Sequence, residues 1–162
     1  MRLTGGCQCG AVRFAVDGDQ GRSSICYCRM CQKAAAATGL ALVGPGEQPV
    51  HWTRGAPSWF QSSSSALRGF CSKCGTPLAY KAPDGLALTV MSFDDPDAVA
   101  PTIQYGTEAK RPWCDDLAKL PGRETLDDVN NAPFLATLRN FQHPDRDTEE
   151  WPPEFWFTDD HH

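Results

Sequence analysis

Seven of the eight cysteines fall in three tight groups, Cys7-x-Cys9, Cys26-x-Cys28-x-x-Cys31 and Cys71-x-x-Cys74. The middle group is a claw of three soft ligands, and such density without secretory features suits a metal ion better than disulfides. Zinc takes four tetrahedral ligands. A closed set of four thiolates is structural, whereas three leave a position for water or substrate. The favoured partition therefore closes one site with Cys7, Cys9, Cys71 and Cys74 and leaves a second, open site on Cys26, Cys28 and Cys31. The competing partition is a zinc ribbon of Cys28-x-x-Cys31 with Cys71-x-x-Cys74, which leaves Cys7, Cys9 and Cys26 as ordinary thiols. Spacing alone does not pair the groups.

The elements that must hold these groups read as strands. Val12, Phe14 and Val16 alternate with Arg13, giving a half-buried strand that ends at Asp17-Gly18. Cys28 to Lys33 suits a short helical turn, and Ala34 to Ala37 either extends it or lets the chain pass close to the site. Leu40 to Val43 is a short buried strand closed by Gly44-Pro45-Gly46, and His51-Trp52 belongs to another. His51 reads as an ordinary polar residue beside a buried Trp rather than as a ligand. Ser62 to Ser65 is a polar loop. The Cys71/Cys74 knuckle runs into a strand through Tyr80, Pro83-Asp84-Gly85 turns it, and Leu86 to Met91 returns. Asp94 to Asp97 is a loop whose acids could order an Arg, and Thr102 to Tyr105 is a further strand. Cys114 reads as a small buried hydrophobe beside Trp113. Pro133 opens a helix whose Phe134, Leu135, Leu138 and Phe141 should dock on the sheet. Trp151, Pro152, Pro153, Phe155, Trp156 and Phe157 form an aromatic tail that either wraps the domain or joins a second copy as a homo-oligomer.

A chain of 162 residues supports one core. A net charge of -5, with no basic stripe, argues against nucleic acid as partner. No apolar stretch matches a signal peptide or a membrane span, so a reducing cytoplasm is the expected location and no membrane is expected as partner.

Several segments together resemble one family: Gly6-Cys7-x-Cys9-Gly10-Ala11-Val12-Arg13-Phe14, the claw, Arg68-Gly69-Phe70-Cys71-x-x-Cys74-Gly75-Thr76-Pro77-Leu78, and Lys110-x-Pro112-Trp113. In that order they are similar to the glutathione-dependent formaldehyde-activating enzymes, a family that also includes centromere protein V. The resemblance spans 1–122, leaving 123–162 as a C-terminal extension expected to pack on that domain. It implies a mainly β, Mss4-like (β-tent) fold with zinc knuckles, to which the short C-terminal helix and aromatic tail are added. It also implies two zinc ions, a structural one on Cys7, Cys9, Cys71 and Cys74 and a catalytic one on Cys26, Cys28 and Cys31. The implied activity is that of a carbon-sulfur lyase joining glutathione to formaldehyde as S-hydroxymethylglutathione. The family often has His where this chain has Tyr27 and Gln104, so the fold transfers more firmly than the substrate.

Three thiolates on a zinc dication carry a net charge of roughly -1, which makes a poor Lewis acid for water but a good soft face for sulfur. A small thiol entering as thiolate and adding to an aldehyde or related electrophile fits that face. The added negative charge calls for cations, with Arg29 and Lys33 beside the claw as candidates and Arg68 as the weaker third. Tyr27 is the candidate proton donor. The opposing reading is a non-catalytic, zinc-stapled protein-interaction module.

Overall fold

The computed structural model describes residues 1–152 apart from 45 and 47. The expected tail residues Pro153, Phe155, Trp156 and Phe157, the terminal His161-His162, and Pro45 of the glycine loop lie outside the described residues.

In chain order the elements are β1 (Arg2–Gly6), β2 (Arg13–Asp17), β3 (Ser23–Cys26), α1 (Arg29–Ala35), β4 (Leu40–Val43), β5 (His51–Arg54), β6 (Ser58–Gln61), β7 (Leu67–Phe70), β8 (Pro77–Ala82), β9 (Gly85–Thr89) and β10 (Ile103–Tyr105). They form a three-stranded sheet, β1-β2-β5, and a seven-stranded sheet, β10-β3-β4-β9-β8-β7-β6. Every pairing is antiparallel except β10 with β3. The stretches read as strands from the sequence form β2, β4, β5, β8, β9 and β10, while β1, β3, β6 and β7 had no such reading; the architecture is mainly β as expected.

Side-chain alternation gives the larger sheet two different faces. One row of cross-strand partners runs Gly69, Ala79, Leu88, Val43, and its last three members join the core with Leu3, Phe14 and Val16 of the smaller sheet. Phe14, fully buried, meets Trp52 and Phe93 edge-on, with ring centroids 5.9 and 5.0 Å away. The opposite row, Phe60, Arg68, Tyr80, Ala87, points away from that core. The claw lies on this second face.

Arg13 departs from the sequence reading. The alternation of β2 put it on the polar side, yet it is only 3% exposed and β2 is buried on both faces. Two carboxylates make this possible: Asp94 takes Nη1 and Nη2 at 2.8 and 2.6 Å, and Asp147 takes Nε and Nη2 at 3.1 and 2.8 Å. Burial disfavours the Asp94 anion, but hydrogen bonds from Arg13 and Thr4 outweigh it and hold the carboxyl below its ordinary value.

Asp147 belongs to a strap that crosses the corner carrying Cys7 and Cys9. The His143 amide donates to the Gln8 carbonyl at 2.7 Å, and the Trp151 indole donates to the Cys9 carbonyl at 2.5 Å. Arg54 reaches both the Gly10 carbonyl and the Thr148 carbonyl. Gly10 has φ +75°, and a Cβ there would lie 2.1 Å from the His143 ring, so only glycine lets the strap lie flat.

The C-terminal helix is a 3₁₀ segment, Pro133–Thr137, rather than a docked amphipathic helix. Phe134 and Leu138 are exposed, because the two sheets already bury each other and offer that helix no apolar face. Cys114 is half-buried, not buried, and the neighbouring Trp113 is exposed.

Asp94→Asn leaves the buried guanidinium short of charge, and should cost about 3 kcal/mol at neutral pH, measured by urea unfolding. Because the folded pKa is lowered from the ordinary 3.8, this contribution is complete above about pH 4 and is lost as pH falls through the folded value. The gap between wild type and variant should therefore be constant from neutral pH down to that point and close below it.

Candidate metal centres and the claw cavity

The fold brings the cysteines together as four and three. The sulfurs of Cys7, Cys9, Cys71 and Cys74 all lie within 4.8 Å of one another, and so do those of Cys26, Cys28 and Cys31. The ribbon partition is thereby overturned: Cys31 belongs with the claw, while Cys71 and Cys74 face the β1–β2 turn. Within the four, Cys7 and Cys9 are 3.5 Å apart and Cys9 and Cys71 are 3.8 Å apart. A tetrahedron with zinc–sulfur bonds of about 2.3 Å has edges of about 3.8 Å, so the spacing suits such an ion. All eight cysteines are free thiols.

Two turns build the four-cysteine corner. Between β1 and β2, the Cys7 amide donates to the Val12 carbonyl and the Gly10 amide to the Cys7 carbonyl, both at 2.9 Å. Between β7 and β8, the Gly75 amide donates to the Cys71 carbonyl at 2.8 Å. Thr76 joins them: its Oγ1 accepts from the Gln8 amide at 3.0 Å and lies 3.2 Å from the Cys74 sulfur. Burial opposes ionisation of Cys74, but Thr76 and the Cys9 amide outweigh it and lower the thiol to about 6. Burial pushes the Cys7 and Cys9 thiols the other way. Without a cation, then, this corner favours ionisation at Cys74 and opposes it at Cys7 and Cys9; a dication is what would let these thiols ionise together.

The claw is set by the end of β3 and the start of α1. Cys26 ends β3, Cys28 caps α1, and the Cys31 amide points at the Cys28 sulfur, 3.5 Å away. Buried Gln32 ties the loop down by donating to the Tyr27 carbonyl at 2.8 Å and the Ala109 carbonyl at 3.0 Å. Gly106, at φ +63°, passes so close that a Cβ would lie 2.6 Å from the Cys28 nitrogen. Burial and the neighbouring thiols push Cys26 up to about 12. Burial also resists the Cys28 anion, but the Cys31 and Met30 amides and the adjacent thiols overcome it and lower that thiol. No fourth His, Cys, Asp or Glu joins the claw among the described residues.

The claw opens on a cavity of about 610 Å³. Cys26, Cys28 and Cys31 line it together with Arg68, Tyr80 and Tyr105. Arg68 is 9% exposed; its Nη2 donates to the Cys31 sulfur at 3.4 Å, its Nε donates to Ser62 Oγ at 2.9 Å, and its guanidinium carbon lies 5.1 Å from the centre of the Tyr80 ring. The Tyr105 hydroxyl accepts from Arg22 Nη1 at 3.1 Å, which leaves its own proton to donate.

The three residues expected to touch substrate lie elsewhere. Arg29 and Lys33 are on the outer side of α1, lining a separate hollow with Trp113. Tyr27 faces another, beside Gln104, with the Lys110 ammonium 5.0 Å from its ring centre. Nearness to the claw in sequence does not carry these side chains into its cavity: successive positions of α1 point in different directions, and Tyr27 precedes the helix. The signal for Arg68 was available in its strand: a charged residue two before Phe70 on a face that also carries Phe60 across the ladder. His51 is exposed and joins neither cysteine cluster.

Residues 2–109 match the pattern defining the glutathione-dependent formaldehyde-activating enzymes. The chain belongs to that family. The matched span runs from β1 to just beyond β10 and contains all seven clustered cysteines and Arg68, while the strap lies outside it. A Halomonas elongata protein, provisionally named as such an enzyme, is 36% identical over 86 residues, covering 48% of this chain. The chain spans about half the length of that curated relative, 55%. A Rhodobacter sphaeroides protein of known structure superposes with a TM-score of 0.47 at 20% identity, over 62% of this chain and 98% of its own.

Since Arg29 and Lys33 face away from the cavity, Arg29→Ala or Lys33→Ala should change the metal affinity of the claw less than about twofold, read by competition with a chromophoric chelator. A larger loss would place those cations in the claw's field after all.

Proposed function

We propose that this protein is a zinc-dependent carbon-sulfur lyase of the glutathione-dependent formaldehyde-activating type, joining a small thiol such as glutathione to an aldehyde or releasing it again. The observation that carries this reading is a three-thiol claw with no fourth protein ligand among the described residues, opening on a cavity large enough for a tripeptide-sized ligand to enter. Family membership supports the thiol and aldehyde as reactants. Cys7, Cys9, Cys71 and Cys74 hold a structural zinc, and Cys26, Cys28 and Cys31 hold the reactive one. When bound in the claw, zinc supplies a soft face that keeps a thiol ionised near neutral pH.

The chain's own residues do the rest. The thiol gives its proton to solvent on entry, and Arg68 places a fixed positive charge beside the resulting excess of negative charge. The thiolate pair forms the carbon-sulfur bond while the carbonyl π pair moves to oxygen. Tyr105 then gives that oxygen its proton and recovers one from water, so that thiol plus aldehyde equals the hydroxyalkyl thioether. The reverse sequence is the lyase direction. Unpaired thiols in number fit a reducing cytoplasm, and no helix among the described residues is long and apolar enough to cross a membrane.

A second reading has one observation in its favour: Trp113, Leu120, Phe134 and Leu138 are exposed, as a protein-interaction module would require. Metal content separates the two. Protein purified without chelator should carry two zinc ions per chain; millimolar glutathione should compete for one of them, and the protein should accelerate glutathione-aldehyde exchange seen by NMR. Cys31→Ser should keep the fold and lose the exchange, whereas Cys74→Ser should lose the fold. A single zinc indifferent to thiols, with no exchange, would favour the module.

A further inference from the structure

The guanidinium of Arg68 has one unexplained end. Ser62 takes Nε and the Cys31 sulfur takes Nη2, but Nη1 is buried and has no hydrogen-bond partner among the described residues. Native proteins seldom leave a buried donor unpaired, since the protein then loses hydration without regaining a bond. The side chain is not free to seek water: the Tyr80 ring stacks on it and the Ser62 hydroxyl pins its inner nitrogen. It is therefore held ready for an acceptor that arrives with the ligand.

The fork of a guanidinium grips two acceptors side by side, which is why it matches a carboxylate so well. Here one prong already holds a sulfur of the claw. The acceptor that completes the fork lies beside that sulfur, and of two hollows that Arg68 lines, the claw cavity is the one that also holds Cys31. A thiol entering the claw brings its own sulfur next to Cys31, so an oxygen on the carbon bonded to that thiol is the acceptor carried nearest the claw; the carboxylates of a peptide thiol are several bonds farther from its sulfur.

We propose that Nη1 of Arg68 is the catalytic donor for the carbonyl oxygen of the electrophile, binding it as it becomes negative. This rests on the thiol-aldehyde reading above and names the group that stabilises its charged step. As the carbon-sulfur bond forms, the carbonyl π pair moves to oxygen, where the Nη1 hydrogen meets it, and the proton that completes the alcohol comes from Tyr105 and ultimately water. In the lyase direction the same contact steadies the oxygen after its proton has left and before the carbon-sulfur bond breaks. A preorganised, water-poor donor of this kind acts mainly on the transition state.

Two small probes test the assignment without turnover. Thioacetate carries sulfur and a carbonyl oxygen on one carbon, with a single negative charge shared between them, and ethanethiol carries the sulfur alone. Each is titrated into protein whose claw holds cobalt, and the change in the visible spectrum gives its affinity. Arg68→Met should weaken thioacetate at least tenfold and ethanethiol less than threefold, and Arg68→Lys should fall between, since ammonium is a single point of charge. Ser62→Ala, which frees the guanidinium without touching the claw, should weaken thioacetate selectively by a smaller factor and guards against misfolding of the Arg68 variants. Equal losses for both probes, or no loss for either, would overturn the role of Arg68 while leaving the claw a thiol site. A wild-type claw that binds neither probe would overturn the thiol-aldehyde reading and this inference together.

Discussion

Sulfur atoms held within 4.8 Å of one another in groups of four and three cannot all ionise without a compensating cation. That constraint shapes both ends of the fold. At the four-cysteine corner, a metal would bind the β1–β2 turn of the small sheet to the β7–β8 turn of the large one, reinforcing the apolar packing and the hydrogen bond from the Gln8 amide to Thr76 that already join them. At the claw the ligands come from one short stretch, Cys26 to Cys31, so metal there closes no long loop and is less needed for the fold. The same element can thus serve stability in one place and chemistry in the other.

The larger sheet makes the division spatial. Its row of Ala79, Leu88 and Val43 is spent on the core, while Arg68, Tyr80 and Ala87 look out on the claw. A strand-borne Arg held by Ser62 and Tyr80 is a more fixed partner for a reacting group than a surface Lys on a helix. Another buried Arg, Arg13, plays a different part: with Asp94 and Asp147 it anchors the strap over the four-cysteine corner. The strap lies beyond the matched span of the family.

Much of this was legible in the sequence, and the failures have definite causes. The strands were readable because Phe14, Val16, Leu78 and Leu88 alternate with less apolar neighbours in short runs. The four-and-three grouping followed from zinc's ligand count, although only the positions of the sulfurs in the fold excluded the ribbon. Arg13 was misplaced because its partners are 81 and 134 residues away in sequence, and no local pattern reports such a pair. Tyr27, Arg29 and Lys33 were chosen by adjacency to the claw, whereas Arg68, reached only across the sheet, was ranked last. The spacing of Phe134, Leu135 and Leu138 suggested a docked helix, but apolar period makes a helix only where a partner surface exists. Here that surface was already taken by the smaller sheet.

The central claim is that one metal is closed by sulfur and the other is open to it. X-ray absorption at the zinc edge, on protein purified without chelator, counts the sulfurs directly. The account predicts about 3.5 sulfurs per zinc at about 2.3 Å, with an oxygen or nitrogen making up the remainder, rising to about 4 when a small thiol is added. Four sulfurs per zinc before any thiol is added, unchanged afterwards, would contradict it.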